Sequence, residues 1–207
     1  MKSSEHEIKV CVFDMGGVVD LFNGGEMERR LLRYFGVEDH DTFLSLSPDM
    51  KGLIRDFGAG LFDEDEYWKR FSCITGINVP DEPHLYTKFF NPVQNPKTIA
   101  VIEDLKKNGI RVVAGTNVEP SHRIWHDNRN DYGMFDYAYT SDRLHCVKPE
   151  PEFFEKIIAF EKVSPNEMFF TDDRKENVDV AVSLGINGFR FQSPESLREH
   201  LEEIDLL

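Results

Sequence analysis

Apolar residues fall into two kinds of run along this chain. Ile8 to Phe13 is short, continuous and rich in β-branched residues, and it stops at Asp14-Met15-Gly16-Gly17. It reads as a buried strand entering a tight turn. Ile110 to Ala114, Phe135 to Tyr139, Met168 to Thr171 and Gly188 to Phe191 predict four more strands. Between them the period lengthens. Ile99, Ile102 and Leu105 share one face of a helix that Gly109 caps, and Phe153, Phe154, Ile157 and Ile158 follow Pro151 at helical spacing. Val178, Ala181 and Val182 mark a further helix, closed by Gly185. Strands alternating with amphipathic helices predict parallel βαβ units, and such a sheet gathers its ligand site at the carboxyl ends of its strands.

From about Leu21 to Pro96 the alternation breaks, and the pattern reads as helices only. Met27, Leu31 and Phe35 recur at spacings of four, and Tyr67, Phe71 and Ile74 share a face behind the acidic first turn Asp63 to Glu66. Pro80, Pro83, Pro92 and Pro96 punctuate the far end. The expected class is α/β: a Rossmann-like parallel sheet with helices on both faces, plus a helical cap inserted after the first strand. Residues 1–20 and 97–207 would form the core domain and 21–96 the cap; the alternative is that these helices simply pad the sheet.

Composition narrows what the fold can do. The 207 residues carry a formal net charge of −14, which gives no electrostatic reason to bind nucleic acid or an anionic membrane. Positive charge for an anionic substrate would have to be supplied locally, by a metal ion or a placed lysine. Cys11, Cys73 and Cys146 are scattered and odd in number, as expected of free thiols in a reducing compartment. Met1 to Glu7 is polar, with no signal-peptide hydrophobic region, and no apolar run approaches the length of a membrane span. The expectation is a cytoplasmic protein, monomer or dimer.

Four segments carry polar groups where predicted strands end. Asp14 follows the first and could attack phosphorus as a nucleophile, or simply cap a turn; Gly16 and Gly17 beside it allow close backbone approach. Thr116 and Asn117 follow the second and could hydrogen-bond a phosphoryl oxygen, or form a turn. Lys148, in Val147-Lys148-Pro149-Glu150, could neutralise phosphate, or lie on the surface. Asp172 and Asp173 close Phe169-Phe170-Thr171-Asp172-Asp173; two adjacent carboxylates need a compensating partner, and magnesium takes such hard oxygen ligands.

Taken together, the order Asp, Thr, Lys, acidic pair, each after a strand, resembles the haloacid dehalogenase-like (HAD) hydrolase superfamily over nearly the whole chain. The segments Phe13-Asp14-Met15-Gly16-Gly17-Val18-Val19, Thr116-Asn117, Lys148-Pro149-Glu150 and Phe170-Thr171-Asp172-Asp173 look most like its capped branch of small sugar-phosphate phosphatases, glucose-1-phosphate phosphatases among them. The resemblance implies a magnesium-dependent phosphatase acting on a small phosphorylated metabolite through an aspartyl phosphate. Asp14 would be nucleophile and metal ligand, and the Gly16 carbonyl a second ligand. Asp172 and Asp173 would complete the metal site, with Asp173 the direct ligand of the two. Thr116 and the Asn117 N–H would hold the phosphoryl oxygens, and Lys148 would keep Asp14 and the phosphate in register.

One position departs from the family pattern. Typical members carry a second Asp two residues after the nucleophile, to protonate the leaving oxygen and then activate water; here that residue is Gly16. General acid–base help of this kind is worth roughly 10² to 10⁴ in rate. Asp20, Glu119, His122 and His126 are the replacements near the motifs in the chain, and each also reads as a surface or capping residue. Two alternatives follow: a protein that binds a phosphorylated ligand without turning it over, and a 2-haloacid dehalogenase, whose halide leaving group needs no proton. Against the second stands the acidic pair, which a metal-free site would have to tolerate beside Asp14.

Overall fold

The computed structural model describes residues 8–22 and 24–207. Met1 to Glu7, on which the expectation of no signal peptide rests, lies outside the described residues. In chain order the elements are β1 (Val10–Phe13), β2 (Asp20–Leu21), α1 (Gly24–Tyr34), α2 (Met50–Gly58), α3 (Glu64–Thr75), β3 (Val93–Gln94), α4 (Pro96–Lys107), β4 (Arg111–Thr116) and α5 (Pro120–Arg129). They continue with β5 (Tyr137–Thr140), α6 (Ser141–Leu144), α7 (Pro151–Glu161), β6 (Met168–Asp172), α8 (Lys175–Ser183), β7 (Asn187–Arg190) and α9 (Pro194–Glu203).

Five strands form one sheet in the order β5-β4-β1-β6-β7, with every pairing parallel. β1 is central, and all four of its residues are buried because both faces of the sheet are covered. The period of two sorts its side chains. Cys11 and Phe13 pack with Val101, Ile102 and Leu105 of α4 and Leu197 and Leu201 of α9. Val10 and Val12 pack on the other face, with Phe153, Phe154 and Ile157 of α7 and Val178 and Ala181 of α8. The result is the three-layered α/β architecture that the alternating pattern predicts. Gly115 is needed where β4 meets β1, since a Cβ there would stand 2.5 Å from Val12 Cγ1.

The segment between β1 and α4 has a core of its own. Leu31 and Leu32 of α1, Met50 and Phe57 of α2 and Tyr67 and Phe71 of α3 are all fully buried in one cluster with Phe43. Aromatic rings fill it at close edge-on and stacked distances, such as Phe57 on Tyr67 at 4.5 Å, which accounts for much of the chain's phenylalanine. The helices-only reading of this segment needs correction. Asp20-Leu21 and Val93-Gln94 pair antiparallel as a two-stranded ribbon where the segment leaves and rejoins the sheet domain. Two residues per strand are too few to leave a period-two signal in the sequence. Among the described residues, no helix is long and apolar enough to cross a membrane.

Candidate active site

Asp14, Thr116 and Asp172 stand at the carboxyl ends of three neighbouring strands, β1, β4 and β6. β1 lies between the other two, and its end is the point where the strand order reverses, where open α/β sheets bind ligands. The four segments singled out from the sequence therefore meet at one edge of the sheet.

Lys148 organises this edge. Its Nζ donates to Asp14 Oδ1 at 2.8 Å and to Asp172 Oδ2 at 2.6 Å, and its side chain is 1% exposed. Burial opposes the ammonium charge, but Asp14 and Asp172 outweigh it and hold the lysine above its ordinary pKa. The surface alternative for Lys148 is thereby excluded. Asn117 fixes the lysine's backbone from both sides: its Nδ2 donates to the Lys148 carbonyl at 2.9 Å, and the Lys148 N–H donates to Asn117 Oδ1 at 2.8 Å. The Asn117 side chain is thus a positioning group, a role that no local pattern around it signals. Thr116 is buried, and its hydroxyl makes only a long bond to the Asn117 carbonyl, at 3.3 Å.

The two members of the acidic pair are unlike. Asp172 is fully buried, and besides Lys148 it accepts from the Arg174 N–H at 2.9 Å and from Asn177 Nδ2 at 3.0 and 2.9 Å. Four donor contacts hold its charge in a dry place. Asp173 is half-buried, and its pKa is raised by burial and then by Asp172. Asp14 is raised to about 6 by burial, with Lys148 opposing and Asp172 adding to the shift. Oxygens of Asp14, Asp172 and Asp173 lie within 4.8 Å of one another, and Lys148 bonds to two of the three carboxylates. A hard divalent cation fits this donor set and its uncompensated charge. Gly17, at φ +77°, lets the loop pass Asp173: a Cβ there would meet Asp173 Oδ2 at 2.6 Å.

Beside these groups lies a cavity of about 170 Å³ between the sheet ends and the helical insertion, reached by Gly16, Thr116 and Asn117. Asp20, Glu119, His122 and His126, set apart in the sequence only by their nearness to the motifs, all line it. Asp20, His122 and His126 are buried, not surface residues. Burial, then the Asp131 and Asp14 charges, raise Asp20 to about 7. A Cβ at Gly16 would meet nothing within 4 Å. Sequence reasoning missed Asn177 and Arg55: the Arg55 guanidinium makes a bidentate pair with Glu150 at 2.9 and 3.0 Å, tying α2 to the loop that carries Lys148.

The haloacid dehalogenase-like hydrolase model matches residues 8–185. The chain belongs to that family. This HAD-like hydrolase is 24% identical to a sesquiterpene phosphatase of Aspergillus oryzae over 187 residues, which cover 87% of this chain and 88% of that one. It is 26% identical over 106 residues to flavin mononucleotide hydrolase 1 of Arabidopsis thaliana, which covers 51% of this chain and 43% of the relative, so the match spans less than half of that relative's length. Among solved structures, an HAD family enzyme from Bacteroides thetaiotaomicron, in complex with magnesium and inorganic phosphate, matches with a TM-score of 0.70 at 22% identity, over 89% of this chain and 94% of that one. The HAD-like fold expected from the motif order is thus the fold found.

Proposed function

We propose that this HAD-like hydrolase is a magnesium-dependent phosphatase of a small phosphate ester, with Asp14 as nucleophile and residues 21–96 as a cap over the site. One observation carries the reading. Lys148 engages Asp14 through Oδ1, which fixes the carboxylate's orientation while Oδ2 remains for attack. In the proposed reaction Asp14 Oδ2 forms a bond to phosphorus as the bond to the leaving oxygen breaks, giving an aspartyl phosphate that water then hydrolyses. Thr116 and the Asn117 N–H hold phosphoryl oxygens, and Lys148 offsets their charge. Asp14, Asp173 and the Gly16 carbonyl would hold magnesium, with Asp172 behind them fixing Lys148. The ion, when bound, neutralises charge that builds on the transferred group.

The crowding of three carboxylates around one ammonium disfavours the dehalogenase reading, which provides no second cation. The ligand-binding reading rests on Gly16, which has no side chain to protonate the leaving oxygen. Phosphate release from an aryl phosphate and a panel of sugar phosphates, with magnesium and with chelator, tests all three. Release that needs magnesium and disappears in Asp14→Asn is the expected outcome. Absence of release from every compound, the aryl phosphate included, would sink the phosphatase reading.

A further inference from the structure

The cavity beside Gly16 has a charge pattern that the motifs do not explain. Three carboxylates line it, from Asp20, Glu28 and Glu119, and among the described residues neither lysine nor arginine does. Glu119 has partners: His122 Nδ1 lies 3.1 Å from its carboxylate, and burial's upward push on its pKa is outweighed by His122. Asp20 has none of that quality. Its side chain is 4% exposed, yet among the described residues it accepts no hydrogen bond. The polar atom facing it is His126 Nε2, at 3.7 Å, too far for one.

His126 does not relieve the deficit. Its Nδ1 lies 2.9 Å from Asp131, so the proton belongs on that nitrogen, and burial lowers the imidazole's pKa. Nε2 therefore presents a lone pair to the Asp20 carboxylate across the gap. The Tyr132 hydroxyl, whose residue lines the same wall, has no partner among the described residues and can both donate and accept. An ionised Asp20 facing the Nε2 lone pair with no donor between them is costly, and burial already pushes the carboxyl up to about 7; a group that enters with donors and positive charge is what would keep it ionised. An ammonium brings three donors and the missing positive charge, whereas a hydroxyl brings one donor and no charge.

We propose that this cavity binds a leaving group bearing a primary ammonium, so that the substrate is the phosphate ester of a small amino-alcohol. The inference rests on the phosphatase reading for its reaction but not for its binding. The cavity has room for roughly six waters, at about 30 Å³ each, so the leaving group is small.

The test compares kcat/KM for three esters of matched size, 2-aminoethyl phosphate, 2-hydroxyethyl phosphate and phosphoglycolate, with 4-nitrophenyl phosphate as control. The expected order is ammonium first by about tenfold or more, the worth of one charge-assisted hydrogen bond, with the carboxylate last. Asp20→Asn and Glu28→Gln, each verified as folded by its melting transition, should narrow the amine-to-hydroxyl ratio. Hydrolysis of the aryl phosphate with the hydroxyl or carboxylate ester equal to or better than the amine overturns the inference and leaves the phosphatase reading standing. If no ester is hydrolysed, the phosphatase reading fails, and calorimetric binding of 2-aminoethylphosphonate against ethylphosphonate decides this inference separately. Tighter binding of the amine supports it, and equal or weaker binding overturns it.

Discussion

Replacing Lys148 by Met keeps the length and apolar bulk of the side chain and removes the charge. Two carboxylates then lose a partner at 2.8 and 2.6 Å, one of them fully buried and the other nearly so. Removing one member of a buried ion pair typically costs about 3–5 kcal/mol, because the other charge is left uncompensated. Protonation offers an escape, and its cost sets a ceiling. A carboxyl of ordinary value 3.8 that is kept neutral at pH 7.5 costs about 1.4 kcal/mol per pH unit, or roughly 5 kcal/mol. At pH 5 the same escape costs only about 2 kcal/mol. In the variant the folded-state pKa of Asp14 rises further above its unfolded value. Stability tied to such a raised group is fully present below the unfolded value and is lost as pH rises through the folded one. The deficit relative to wild type should therefore grow between pH 5 and pH 7.5. Urea unfolding in the presence of chelator, at both pH values, measures it. A deficit below about 1 kcal/mol at pH 7.5, the size of an exposed pair, or one that does not change with pH, would refute the claim that Lys148 neutralises two buried carboxylates.

Three further outcomes are expected. Gly16→Asp places a carboxyl in open space next to the nucleophile; turnover of alkyl phosphates should rise by about tenfold or more, toward the 10² to 10⁴ of a general acid, with far less change for an aryl phosphate, whose leaving group needs no proton. Asn177→Ala removes two donor contacts from Asp172 and should raise the magnesium concentration for half-maximal activity by about 10- to 100-fold, as loss of outer-sphere support does elsewhere. Arg55→Ala breaks the pair with Glu150, whose side chains are 38% and 33% exposed; a urea titration should show a loss of no more than about 1 kcal/mol.

The parts legible in the sequence were those whose signals are local. Ile8 to Phe13 announced its strand because all its neighbours bury it, and Asp14, Thr116 and Asp172 announced a site because each follows such a run; Lys148, expected after a strand, instead sits in the loop between α6 and α7. What stayed hidden depends on contacts distant in sequence. Asn117 and Lys148, 31 residues apart, exchange hydrogen bonds only because the end of β4 meets the loop between α6 and α7. Asn177 was invisible because an asparagine in a helix's first turn ordinarily serves the helix. The burial of Asp20 and His126 follows from the insertion folding over them, and no pattern in their own neighbourhoods encodes it. The β2–β3 ribbon escaped because four residues in two short pairs have no period to read.

That ribbon bears on how such a protein changes over time. Leu21 and Val93 sit opposite each other, so the chain departs from the sheet domain and returns at adjacent points, and closing that gap takes only a short turn. The intervening helices are therefore exchangeable: they can be lengthened, shortened or replaced without shifting any register in the five-stranded sheet. Asp20 belongs to the ribbon itself, whereas Glu28 belongs to the exchangeable part. A swap of the insertion would keep the first carboxylate of the cavity and redraft the wall opposite it, rewriting the choice of molecule so long as the new helices replace the Arg55–Glu150 tie to the loop that carries Lys148.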